Sequence, residues 1–307
     1  ASDHLEAIAQ RAQQLTVQHF GRTIQMFIPL YLSNHCKNRC TYCGFNVTNE
    51  IPRRVLSLAE IEREAEAIAR TGMQHVLILT GEDRRATPLE YLCDAVAVLK
   101  RYFASVSIEI YPLHTEEYAQ LKAAGVDGMT VFQETYDPAV YKSVHLGGKK
   151  RDFAWRLDAP ARAAEAGLRT VNIGPLLGLA EPRREMFFTG LHARFLETNF
   201  LQTEVAVSLP RINEAEGGFS ATQFVGDRLF VQLMTALRVF LPHAGITLST
   251  RERAEFRDRL LTLGATRFSA GAVSVGTPIS KAMVSTPQWY PCPARTLPRN
   301  TQYDHAW

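Results

Sequence analysis

The sequence predicts an α/β chain closed into a (β/α)8 barrel of the TIM type. Three observations predict it. Eight short β-branched or apolar runs alternate with helical segments of ten to eighteen residues, without a composition break or a Ser/Pro linker. Glycines stand just past four of the helical runs, at Gly72, Gly125, Gly167 and Gly264, where a helix ends most readily. No glycine-rich fingerprint follows the first run, as it would in an open dinucleotide-binding sheet. Alternation of this length implies parallel strands, and eight repeats fit a closed barrel better than an open sheet.

The elements are expected in this order. An amphipathic helix from His4 to about His19 fills an N-terminal segment, 1–22. The barrel, 23–277, begins with strand Thr23–Leu32, followed by helix Leu58–Thr71, strand His75–Thr80, helix Leu89–Tyr102, strand Ser105–Tyr111 and helix Thr115–Ala124. Its second half runs through strand Gly128–Gln133, helix Arg156–Ala166, strand Arg169–Ile173, helix Arg184–Thr198, strand Glu204–Ser208 and helix Arg228–Phe240. Strand Ile246–Ser249, helix Glu252–Thr262 and strand Thr266–Ser269 complete it. Residues 278–307 form an atypical C-terminal tail with five prolines and little helical period. In such a barrel the chemistry belongs at the carboxyl ends of the strands, which become the places to search.

With 307 residues, 46% hydrophobic and 21% charged, the composition is that of a soluble protein with a sizeable core. Thirty-four Lys and Arg against thirty-one Asp and Glu leave a net charge of +3, too small to argue for nucleic acid or membrane binding. No apolar run is long enough to span a bilayer, and the first residues lack the pattern of a signal peptide. Five cysteines, at 36, 40, 43, 93 and 292, are an odd number with three crowded together, which disfavours a disulfide framework. A reducing, cytoplasmic compartment is expected.

Cys36, Cys40 and Cys43 lie in a loop directly after the first strand. Three thiolates spaced four and three residues apart can meet three corners of an iron–sulfur cubane and leave the fourth iron open to a ligand. The alternatives are a zinc site that enlists His35, or reduced buried cysteines. A structural zinc normally closes with a second spaced pair, which neither Cys93 nor Cys292 supplies.

This Cys-x3-Cys-x2-Cys spacing, with Tyr42 before the last cysteine, resembles the signature of the radical S-adenosylmethionine (SAM) enzymes. The segments PLYLSNHCKNRCTYCGF, ILTGE, FQETYDPAVY, DFAWRLDAPARAAEAG, VSLPRI, LSTRE and FRDR resemble the tyrosine lyase (2-iminoacetate synthase) family of thiamine thiazole synthesis, from about Ala7 to Gly276. The resemblance implies a [4Fe-4S] cluster on Cys36, Cys40 and Cys43, with the amino and carboxylate groups of SAM on the fourth iron. It further implies reductive cleavage of SAM to methionine and a 5′-deoxyadenosyl radical. That radical takes hydrogen from the amino group of L-tyrosine, and the Cα–Cβ bond then breaks to give 2-iminoacetate (dehydroglycine) and p-cresol. An electron donor of flavodoxin or ferredoxin type and a thiazole synthase that consumes the imine are the implied partners.

Candidate ligand-holding residues follow at the strand ends. Thr80-Gly81-Glu82 resembles the family's glycine–glutamate motif, with Glu82 expected to accept from the SAM ammonium and Gly81 to let the backbone approach closely. Glu109, a carboxylate inside an apolar strand, is expected to face the lumen and meet the ribose or the methionine end of SAM; a structural ion pair is the other reading. Glu134 closes the fourth strand, and Arg156 opens a later helix, either to hold the methionine carboxylate or to pair with Glu134. An exposed helical arginine is the plain alternative. For the tyrosine carboxylate the expected holders are Arg251 and Ser269, at the ends of the seventh and eighth strands, with Arg211 in reserve. Tyr31 is expected as a core aromatic near the cluster mouth and Cys93 as a core thiol.

Relatives of this family usually begin with several dozen further residues, and the tail from Pro278 keeps only a hint of theirs around Ser285–Trp289. The competing functions are a tryptophan lyase, the tyrosine lyase of hydrogenase maturation, and a non-catalytic metal-binding scaffold. The second of these carries a C-terminal cysteine cluster, whereas Cys292 stands alone in this tail.

Overall fold

The computed structural model describes residues 4–212, 219–250 and 252–271 and shows the expected closed barrel. Helix α1 (Leu5–Phe20) precedes β1 (Gln25–Ser33), α2 (Leu58–Ala69), β2 (His75–Thr80), α3 (Leu89–Leu99), β3 (Ser105–Glu109), α4 (Thr115–Ala124) and β4 (Val126–Glu134). Then come α5 (Pro138–Val144), α6 (Phe153–Leu157), α7 (Ala159–Glu165), β5 (Thr170–Pro175), α8 (Pro182–Asn199) and β6 (Glu204–Ser208). The barrel ends with α9 (Asp227–Phe240), β7 (Gly245–Leu248), α10 (Ala254–Leu260) and β8 (Arg267–Ser269), which pairs back onto β1 through Gln25↔Arg267 and Phe27↔Ser269. All eight pairings are parallel.

The bounds of β2, β6 and α4 match the sequence expectation residue for residue, and most others shift by a few positions. The four expected helix-ending glycines all have positive φ, from 81° at Gly167 to 149° at Gly264. Two differences have local causes. The segment expected as one helix from Arg156 to Ala166 is two, α6 and α7, because Pro160 cannot donate back to the preceding turn and the chain restarts at Asp158. Arg156 therefore lies inside α6 and is buried, which removes the exposed-arginine reading. Helix α5 was not expected; Asp137 caps it by accepting from the N–H groups of Ala139 and Val140, and Pro138 presets its first turn.

Helix α1 packs on α9. The joint is Arg238, fully buried on α9, whose guanidinium donates to the carbonyls of Ala244 (2.6 Å) and Gly264 (2.9 Å) and stacks on Phe20. Burial pulls its pKa down to about 10.

Strand registers step by one residue per strand around the barrel, so inward side chains of alternate strands share a layer. Phe27, Ser107, Asn172 and Thr247 form one layer, and Leu77, Thr130, Ser208 and Ser269 the next towards the carboxyl end. Glu109, Leu79 and Phe132 rise above them. The lumen is thus apolar on the β1–β2 side and polar on the β5–β8 side.

Candidate active site

The cysteine loop leaves β1 at Ser33 and is held by backbone bonds from distant parts of the chain. Lys37 N–H donates to the Glu82 carbonyl (3.2 Å), Arg39 N–H to Gly147 (3.0 Å) and Thr41 N–H to Val144 (3.0 Å), and Cys40 bridges His145. Arg53 gathers the far side of the loop, donating to the carbonyls of Asn34 (2.7 Å), Phe45 (3.0 Å) and Asn46 (2.7 Å). Cys40 is buried while Cys36 and Cys43 are partly open, and all three line one cavity of about 740 Å³ at the carboxyl end of the barrel.

Burial pushes the Cys40 thiol up to about 12 and raises that of Cys43, with Lys150 opposing in both. Such thiols stay protonated at neutral pH until a metal displaces the proton. Among the described residues no three His, Cys, Asp or Glu side chains converge on a single ion, which a mononuclear zinc would need. A cubane takes one thiolate per iron, so three soft donors spaced around one cavity fit it.

Gly81 lines the same cavity and has a structural reason that the sequence did not suggest. A Cβ there would sit 2.2 Å from the His35 carbonyl oxygen and 3.1 Å from the Cys36 Cβ. The missing side chain makes room for the cysteine loop, beside the room for SAM that the sequence suggested.

Beside the cysteines lies a buried charge network. Arg156 Nη1 donates to Glu82 Oε1 (2.6 Å), Nε donates to the Phe132 carbonyl (2.6 Å), and Nη2 stands 3.9 Å from Glu134 Oε1. The first partner of Arg156 is thus Glu82, which the sequence did not suggest, and Glu134 is held by Lys150 (2.6 Å). Asn38 donates to the other Glu82 oxygen (2.8 Å). Burial drives the Glu82 carboxyl up, but Arg156, Lys150 and the Asn38 bond more than offset it and leave it below the ordinary value. Glu134 follows the same pattern, with Lys150 the largest opposing charge. Two of the roughly four acceptor positions of Glu82 are filled, so the carboxylate keeps capacity for a further cation.

Glu134 adopts φ 71°, unusual for a residue other than glycine, at an irregularity in the β4–β5 register. Glu185 of α8 stabilises the turn by accepting from the Thr135 hydroxyl (2.9 Å) and the Tyr136 N–H (2.9 Å). Tyr42 lines the cavity with its hydroxyl bonded to His145 Nε2 (2.8 Å) and Lys150 above its ring. Glu109 and Tyr31 line it too, Tyr31 edge-on to Phe45. Lys150, Asn38, Arg53 and His145 were missed in the sequence; the Lys149-Lys150-Arg151 run is the one signal that could have pointed to the first.

On the substrate side, Ser269 is buried, lines the cavity and accepts from the Thr250 N–H (3.1 Å). Arg251 and Cys292 lie outside the described residues. Cys93 is half-buried on α3 against the core. Arg211 does not fit its reserve role. Its guanidinium is bidentate to Glu252 (2.9 and 2.6 Å), donates to Asp227 (2.7 Å) and the Val225 carbonyl (2.8 Å), and lies between Phe230 and Phe256. Its charge is consumed in joining β6 to α9 and the start of α10. Arg211→Met is expected to lower stability by about 3 kcal/mol or more, as for any buried pair left with one partner. The tyrosine KM should stay unchanged in that variant; thermal unfolding and steady-state kinetics check both.

Comparison with known proteins agrees with this geometry. Residues 30–188 match the radical SAM superfamily, and residues 208–286 match the biotin and thiamin synthesis associated domain. The chain is similar to 2-iminoacetate synthase of Escherichia coli (strain K12), at 42% identity, and of Salmonella typhimurium (strain LT2), at 41%; each match spans 88% of this chain and 72% of the relative. It is similar in structure to HydG, a maturase of the [FeFe]-hydrogenase, with a TM-score of 0.85 and 32% identity over 88% of this chain. That match covers 62% of the HydG chain, a little under two thirds of its length.

Proposed function

The chain belongs to the radical SAM superfamily and, within it, to the 2-iminoacetate synthases, and we propose on that footing that it cleaves the Cα–Cβ bond of L-tyrosine to 2-iminoacetate and p-cresol for thiazole synthesis. The observation that carries this reading is the single cavity shared by Cys36, Cys40, Cys43, Glu82, Glu109, Glu134 and Arg156. When bound, the [4Fe-4S] cluster and SAM supply a 5′-deoxyadenosyl radical; everything else falls to the protein.

Cys36, Cys40 and Cys43 would hold three irons as thiolates. Glu82 would accept from the SAM ammonium through its open lone pairs. The Arg156 Nη2 protons, not bonded to Glu134 at 3.9 Å, suit a carboxylate such as that of the methionine moiety. Glu109 and Glu134, which line the same cavity, would accept from the ribose or the methionine end of SAM, and Tyr42 walls the cavity on the loop side. Leu77, Leu79, Phe27 and Phe132 give the cavity apolar lining, which would help exclude water from a reactive carbon radical. Arg251 and Ser269 would hold the tyrosine carboxylate. Arg251→Ala is expected to raise the tyrosine KM about ten- to a hundredfold, the worth of one charged hydrogen bond. SAM affinity should be untouched; an equal loss of both would assign Arg251 to SAM.

The test of the whole reading is anaerobic cluster reconstitution and reduction, followed by incubation with SAM and either L-tyrosine or L-tryptophan. 5′-Deoxyadenosine together with p-cresol is expected from tyrosine. Its formation with an indole product from tryptophan alone would transfer the assignment to a tryptophan lyase.

A one-electron donor of flavodoxin or ferredoxin type and a thiazole synthase are the proposed partners. Support for an acidic donor is the cleft of about 1140 Å³ that borders the charge network, where exposed Lys37, Arg85, Lys149 and Arg151 outnumber the acidic Asp83 and Asp152. Among the described residues no helix is long and apolar enough to cross a membrane. The cytoplasm is proposed as the reducing setting that such thiols need.

A further inference from the structure

Barrel lumens are usually filled by layers of Val, Ile and Leu. The floor of this cavity departs from that rule on three neighbouring strands. Asn172 on β5 donates through Nδ2 to Ser208 Oγ on β6 (2.8 Å) and to Thr130 Oγ1 on β4 (3.2 Å), and Ser208 Oγ donates back to Asn172 Oδ1 (3.2 Å). All three side chains are more than nine-tenths buried and line the same cavity as the cysteines. Thr247 on β7 lies beside them, equally buried, and its hydroxyl has no partner among the described residues. A buried polar cluster with spare hydrogen-bonding capacity costs stability unless something fills it.

The spare capacity is specific. Thr130 Oγ1 accepts from Asn172, which leaves its own proton free, and Asn172 Oδ1 accepts one bond, which leaves a lone pair. One free donor beside one free acceptor matches a group that both accepts and donates through a single oxygen. Across the lumen from this cluster stand Phe27 and Leu77, which offer an apolar face to a planar ring. Phe27 is six residues before the end of β1 at Ser33, which puts the floor about 15 Å below the strand end. Cofactor-binding groups therefore crowd the top of the cavity and hydroxyl-binding groups its bottom.

We propose that Thr130, Asn172 and Ser208, with Thr247 beside them, form the subsite that holds the phenol hydroxyl of the substrate and so select tyrosine over phenylalanine. The phenol donates to Asn172 Oδ1 and accepts from the Thr130 hydroxyl, with its ring against Phe27 and Leu77. This rests on the tyrosine reading above and adds to it the residues that recognise the aryl end. A site built to bond a hydroxyl discriminates strongly against the analogue that lacks it, because its own polar groups are left unpaired.

The experiment measures equilibrium binding of L-tyrosine and L-phenylalanine by calorimetry on the reconstituted, SAM-loaded chain, for wild type and for Thr130→Val, Thr130→Ser, Ser208→Ala and Asn172→Leu. Iron content and SAM affinity serve as the control for folding. Wild type is expected to prefer tyrosine by a hundredfold or more. Thr130→Val and Asn172→Leu should cut that preference at least tenfold, by weakening tyrosine while phenylalanine holds or improves. Thr130→Ser should keep it, which separates a lost hydroxyl from a disturbed fold, and the near-isosteric Thr130→Val decides the matter if Asn172→Leu does not fold. An unchanged tyrosine to phenylalanine ratio in variants that keep their iron overturns the subsite. Failure of wild type to bind tyrosine at all is a different result, and it overturns the function as well.

Discussion

Arg156→Met is expected to abolish SAM cleavage and to lower stability by roughly 3–5 kcal/mol, the cost of stripping one partner from a buried ion pair. Arg156 is 6% exposed, bonds Glu82 directly, approaches Glu134 and ties both to the Phe132 carbonyl. Glu134 would keep its bond to Lys150, while Glu82 would keep the Asn38 bond and the charge of Lys150 without a direct ionic partner. The pH dependence gives a sharper readout than the midpoint alone. In wild type both carboxyls lie below the ordinary value of 4.5. Their stabilisation is complete above that ordinary value and is lost as the pH falls through their depressed folded values. In the variant, burial, the largest influence on Glu82, is opposed by Lys150 and Asn38 without the guanidinium, so its folded pKa is expected to rise above the unfolded one and the sign to reverse. The variant should then gain stability relative to wild type as the pH is lowered from 8 to about 5, a range in which His145 and His192, held down to about 4 by burial, cost both proteins stability. Denaturant unfolding at the two pH values checks this. Parallel curves for the two proteins would mean that Glu82 does not depend on Arg156 for its charge.

Reading that network from sequence was limited by distance along the chain. The strands were legible because each carries its own signal: His75–Thr80 and Glu204–Ser208 are β-branched runs whose neighbours do not share their period, and both were placed to the residue. The three cluster cysteines were legible because their spacing is local. Arg156 was found, and it does approach Glu134, but its nearer partner was not anticipated, since Glu82 stands 74 residues earlier and meets it only in the folded barrel. Lys150 and Arg53 act through contacts 16 and 19 residues away in loops, where no periodicity marks a side chain as buried. Arg211 was misread for the complementary reason. A cation near the start of a helix opposes the dipole and so suggests a ligand, whereas Glu252, 41 residues on, accounts for the charge within the protein. Helix α5 was missed although Asp137-Pro138 is a helix-start signal, because seven residues are too few for a period to show.

Gly81→Ala is expected to empty the cluster site before SAM enters the question. The added Cβ would overlap the His35 carbonyl oxygen at 2.2 Å and crowd the Cys36 Cβ at 3.1 Å, and the first of these is backbone, which cannot swing aside. Gly81 itself is fixed by its N–H bond to the Ser33 carbonyl (2.9 Å), and the loop is fixed on the other side by the bond from Lys37 to the Glu82 carbonyl (3.2 Å). Relief therefore has to come from shifting residues 34–37, which carry Cys36. Overpacking of this kind costs about 1–3 kcal/mol; its larger consequence is that one of three cluster ligands moves. Iron per chain after anaerobic reconstitution, measured without SAM, should fall well below wild type, and SAM cleavage should fall with it. Gly44→Ala is the matched control in the same loop, because a Cβ there meets nothing within 4 Å, and it should reconstitute normally. The pair separates two reasons for a glycine after β2. If Gly81→Ala holds a full complement of iron and loses only SAM affinity, the glycine makes room for SAM, as the sequence first suggested; if iron itself is lost, it seats the cysteine loop.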